Sequence, residues 1–76
     1  MTKLPRISRK EVIKILTKIG FVAVRQKGSH VILRKEGIGG SLVTVVPQHS
    51  EIDRGTLLEI IRQAGLSREE FFKLYP

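Results

Sequence analysis

The chain has no cysteine among its 76 residues. That absence excludes a disulfide scaffold, a thiolate nucleophile and any Cys-based zinc site, and it fits a reducing compartment. No apolar run approaches the ~20 residues a membrane-spanning helix needs. The basic stretch Met1 to Lys10 is not followed by a signal-type apolar segment capped by small residues, so the expected location is the cytosol, with no membrane partner. Aromatic residues are scarce, namely Phe21, Phe71, Phe72 and Tyr75. They are too few and too core-like to form the usual stacking platform for single-stranded nucleic acid. Repeats, linkers and low-complexity segments are also missing, and residues 1–76 are expected to form a single domain around one modest core.

Acidic residues are nearly absent from the first half. Residues 1–35 hold ten Lys/Arg against the single acid Glu11, whereas residues 36–76 hold four against six. The net charge of +7 therefore comes entirely from one half of the chain, and a polyanionic partner is expected. With 41% hydrophobic and 28% charged residues the composition is that of a folded globular protein.

The elements read in order. The first residues, up to Ile7, look like a loose arm with Pro5 opposing helix. Ser8 and Glu11 make a capping box, and Val12, Ile15, Leu16 and Ile19 recur at helical spacing, predicting a helix from Arg9 to Ile19 ended by Gly20. Phe21 to Lys27 reads as a strand, with Val22 and Val24 on one side and Phe21, Ala23 and Arg25 on the other. Gly28-Ser29 is a two-residue hairpin signal, and His30 to Lys35 is the returning strand, with His30 and Ile32 on one face and Val31 and Leu33 on the other. Gly37 to Gly40 lacks the spacing of a dinucleotide fingerprint and reads as a second hairpin loop. The continuous apolar run Leu42 to Val46, closed by Pro47, is expected to be the third and most buried strand.

A second helix begins at the Asp53 cap, or at a rival Thr56/Glu59 box, and carries Leu57, Leu58, Ile60, Ile61 and Ala64 to Gly65. Ser67 with Glu70 opens a last short helix bearing Phe71, Phe72 and Leu74. The predicted fold class is α+β, in the order α-β-β-β-α-α. A three-stranded antiparallel sheet with helices on one face resembles the double-stranded-RNA-binding-domain fold.

The stretch Arg25-Gln26-Lys27-Gly28-Ser29-His30 is where chemistry concentrates, because it places a histidine at a hairpin beside two cations. Together with Gly20-Phe21, Pro47-x-His49, Gly55-Thr56-Leu57 and Ile61-Arg62-Gln63-Ala64-Gly65, it resembles the HicA family of toxins, also called YcfA-like proteins. The likeness runs from Leu4 to about Leu74. It implies an mRNA interferase of a toxin-antitoxin pair, which cleaves RNA without a metal and is silenced by a HicB-like antitoxin. The histidine of its Gly-Ser-His motif, here His30, would be catalytic.

The residues agree with that chemistry. RNA carries its own nucleophile, the 2′-hydroxyl, so cleavage needs a base, an acid and cations for the developing phosphorane charge. An imidazole, with an ordinary pKa of ~6.5, can be that base near neutrality. Arg25 and Lys27 are candidate phosphate ligands, Ser29 can bond the substrate or pin the turn, and Gly28 permits backbone geometry closed to other residues. Lys10 and Lys14, at an interval of four on the first helix, are candidate RNA contacts or simply a solvated face. His49 could be a second catalytic histidine, although a loop-holding role is the plainer reading. His49, Glu51 and Asp53 have ligand chemistry without diagnostic spacing, so no metal or other cofactor is expected. The rival functions are a module that grips double-stranded RNA without cutting it, or an antitoxin-binding subunit with no nuclease activity.

Overall fold

The computed structural model describes residues 6–75, so most of the expected N-terminal arm lies outside the described residues. The arm's end is anchored rather than loose. Ile7 is 1% exposed and forms an antiparallel bridge with Ile52, whose N–H donates to the Ile7 carbonyl at 2.9 Å. A hydrophobic side chain beside a core helix gains more from burial than its backbone loses in freedom.

Helix α1 spans Arg9–Lys18. The Ser8 hydroxyl accepts from the Glu11 N–H at 3.2 Å, and the Glu11 carboxylate accepts from the Ser8 N–H at 3.2 Å, completing the capping box. The C-cap is Ile19, and Gly20 follows with φ +104°. Val12, Ile15 and Leu16 form the buried stripe. Phe21, expected inside the first strand, precedes it as a buried core residue.

Strands β1 (Val22–Lys27), β2 (His30–Gly37) and β3 (Gly40–Pro47) form an antiparallel sheet in the order β1-β2-β3. Both hairpins are tight, pairing Lys27 with His30 and Gly37 with Gly40. Gly28 takes φ +57° at the first turn position, as a type II′ hairpin requires. Helices α2 (Arg54–Gln63) and α3 (Arg68–Leu74) follow. Asp53, not the rival Thr56, caps α2, accepting from the Thr56 N–H at 2.9 Å, and Ser67 with Glu70 boxes α3.

The helices cover one face of the sheet. Val31, Leu33 and Val46 meet α1, Leu57, Ile60, Ile61 and Ala64 of α2, and Phe71 of α3 in one core. Leu58, expected with the apolar side of α2, is only half-buried. The single fully buried polar side chain among the described residues is Thr44. Its hydroxyl donates to Gln63 Oε1 at 2.9 Å, so the hydrogen bond offsets its desolvation.

Two expectations are corrected. β3 holds more buried residues than either other strand, Thr44, Val46 and Pro47, but its apolar run is not buried throughout, because Leu42, Val43 and Val45 are exposed. It is an edge strand with one face covered, and its apolar run continues onto the uncovered face. Ala23 and Arg25 do not share a side either. The pairing shifts between Ala23, opposite Leu33, and Arg25, opposite Ile32, leaving Val24 as the extra residue of a β-bulge. A bulge inverts the alternation of every residue beyond it.

Candidate active site

Directly opposed residues of an antiparallel pair project to the same face. The faces therefore follow from the register. Val31 and Leu33 lie on the covered face, while His30, Ile32 and Arg34 lie on the open one. Reading across the strands, the open face carries Lys27–His30–Pro47 at the hairpin end, then Arg25–Ile32–Val45, then Val22–Arg34–Val43. The bulge at Val24 puts Ala23 toward the covered face and Arg25 on the open one with Lys27 and His30. A regular strand that kept Ala23 where it is would have sent Arg25 to the covered side.

His30, Arg25 and Lys27 are exposed. Among the described residues, neither Arg25 nor Lys27 forms an ion pair; the pairs are Arg6–Glu51, Arg34–Glu36 and Arg62–Glu59. Free cations on a face shared with a solvent-accessible imidazole can take up a phosphodiester without first breaking a carboxylate contact. Ser29 Oγ lies 3.4 Å from His30 Nδ1, which leaves Nε2 for another partner. Gly28 contributes its backbone geometry, and a Cβ there would meet nothing within 4 Å.

Sequence reasoning overlooked the neighbours of the turn. The Gln48 N–H donates to the Ser29 carbonyl at 2.6 Å, tying the loop after β3 to the turn beside His30. A usable signal was present, because a two-residue turn at Ile38-Gly39 fixes the β2/β3 register and so sets Pro47 opposite His30. Arg34 was also overlooked. It shares the open face but is engaged by Glu36 at 2.6 Å and by the Ser41 hydroxyl at 2.8 Å.

The remaining candidates are placed apart. Lys10 and Lys14 are exposed on α1, in the helical layer and across the sheet from His30. His49 is exposed and follows Gln48 directly; its charge contributes a minor part to the lowering of the Asp53 carboxyl, which is held down mainly by hydrogen bonds from Thr56. His49, Glu51 and Asp53 do not converge, and no cluster of three or more His or carboxylate side chains suited to a metal occurs among the described residues. Nor is any helix among them long and apolar enough to cross a membrane.

Comparison with known proteins bears on this arrangement. A search of curated proteins found no match to the chain. A family model described as the HicA toxin of bacterial toxin-antitoxin matches residues 9–66, from the first residue of α1 to the end of the turn after α2. That span contains the hairpin, all three strands and the bonded loop after them. The chain belongs to the HicA toxin family, and its role is that of the toxin in a toxin-antitoxin pair.

Proposed function

We propose that this toxin is a metal-independent endoribonuclease, an mRNA interferase, acting in the cytoplasm with His30 as its catalytic base. The observation that carries the reading is the placement of an exposed His30 on one open sheet face with Arg25 and Lys27, two cations that form no ion pair among the described residues. His30 Nε2 takes the proton of a ribose 2′-hydroxyl, and the freed oxygen attacks the adjacent phosphorus. The bond from phosphorus to the 5′-oxygen breaks, and that oxygen takes a proton from water or from a second acid. The products are a 2′,3′-cyclic phosphate and a 5′-hydroxyl. Arg25 and Lys27 offset the charge that builds on the phosphorane oxygens.

The apolar part of the open face has Ile32, Val43, Val45 and Val22 but no aromatic ring, since Phe21 and Phe71 are buried and Phe72 and Tyr75 pack against the core. RNA is therefore held by its backbone, and cleavage is sequence-tolerant. Lys10 and Lys14 form a second track that only a longer RNA reaches. The partner that silences the toxin is a HicB-like antitoxin covering the His30 row.

The test is cleavage of a single-stranded RNA in the presence of chelator. The parent protein is expected to cut it and His30→Ala to lose at least about a hundredfold in rate, the scale of general-base removal, with an unchanged circular dichroism spectrum. Equal cutting by His30→Ala, or of an all-deoxy substrate, would refute the mechanism. Tight binding of duplex RNA without cleavage would favour the non-catalytic module.

A further inference from the structure

The two edges of the sheet are treated differently. β1 carries the three devices that discourage strand addition, namely a bulge at Val24, a lysine and an arginine. β3 has none of them between its ends. From Gly40 to Pro47 it holds no charged residue, and its register with β2 is unbroken over eight pairs. Leu42, Val43 and Val45 are 38%, 48% and 37% exposed. Among the described residues, no backbone group of Leu42 to Val46 bonds outside the β2/β3 pairing. Only Pro47, which lacks an N–H, terminates the edge.

We infer that the β3 edge is a self-association surface, and that its occupant is β3 of a second copy of this chain. Charge decides between occupants. An acidic partner or a nucleic acid is drawn to Arg25 and Lys27 at the β1 side, and gains nothing from an uncharged edge. A second copy would be repelled at β1, where Arg25 and Lys27 would meet their own counterparts, but meets no like charge along β3. The association is isologous, so the strands run antiparallel about a two-fold axis normal to the sheet. Residues of one face must then oppose each other. Val43 opposite Val43 of the second copy, with Ser41 opposite its Val45, satisfies this and joins the two sheets into one of six strands. Both His30 rows stay open, one at each far end of the shared face.

The test is sedimentation equilibrium of the 76-residue chain from micromolar to millimolar concentration. Its mass is expected to rise from 8.6 kDa toward twice that value. Added salt should strengthen the association, because it screens the repulsion between two basic chains. Val43→Lys should weaken association at least about tenfold, equivalent to ~1.4 kcal/mol, while Val24→Lys on the other edge leaves it intact. Should Val43→Lys fail to fold, amide exchange on the parent protein gives the same answer, with the outward amides of β3 slowing as concentration rises. A single-chain mass throughout, association lost in Val24→Lys instead, or β3 amides protected only when an antitoxin is added would each overturn the proposal.

Discussion

His30 owes its position to two short turns. The Gly28-Ser29 turn sets it opposite Lys27, and the Ile38-Gly39 turn sets it opposite Pro47. Both turn signals are local and were legible from residue type. The face that Arg25 occupies was not legible, because it depends on which residue of β1 is the extra one. Arg25 and Lys27 are each expected to contribute through phosphate contacts, so Arg25→Ala or Lys27→Ala should lower kcat/KM on single-stranded RNA by about tenfold, ~1.4 kcal/mol. Steady-state cleavage of a labelled oligonucleotide checks this. Arg34→Ala should cost less, since Glu36 and Ser41 already engage that guanidinium.

Among the elements, the helices were the most legible because their start signals are contained within four residues. Ser8 with Glu11 and Ser67 with Glu70 close as their spacing predicts. The caps also make stability sensitive to acid. Hydrogen bonds from the Thr56 side chain and backbone lower the Asp53 carboxyl below 3.8, and those from the Ser67 backbone and side chain lower Glu70 below 4.5. Carboxyls lowered in the fold stabilise it above their ordinary values, and that contribution is lost as pH falls through the lowered ones. Asparagine retains a capping oxygen without the charge. Asp53→Asn should therefore melt below the parent protein at neutral pH, and the gap in Tm should close on acidification. At the core, Phe71 is fully buried where α3 packs on α2. Phe71→Ala should cost ~3–5 kcal/mol, measured by urea unfolding, which is of the order of the whole stability of so small a domain.

For the whole molecule, the charge asymmetry resolves into two surfaces. Arg25 and Lys27 share the open sheet face with His30, while Lys10 and Lys14 lie in the helical layer. Binding of a short single-stranded RNA confined to the sheet face should weaken with salt at a slope of ~−1.4 in log K against log salt concentration, ~−0.7 for each of two phosphate contacts. Fluorescence anisotropy across salt concentrations measures it. Lys10→Glu with Lys14→Glu should leave that slope unchanged for the short RNA and reduce it for a longer one. RNA binding falling with salt while self-association rises would separate the two surfaces in one titration.

The amino-acid sequence by itself determined the elements, their caps and turns, the α+β class, the His30 hairpin and the family likeness that residues 9–66 bear out. The elements, caps and turns rest on interactions among residues a few positions apart. The tertiary structure alone decided that β3 is an edge, that Ile7 is pinned by Ile52, that Thr44 is buried against Gln63, and that Arg25 turns to the same side as His30. An apolar run such as Leu42 to Val46 looks the same whether helices cover one face of it or both. Only the packing of α1 and α2, elsewhere in the chain, determines which side chains water can reach.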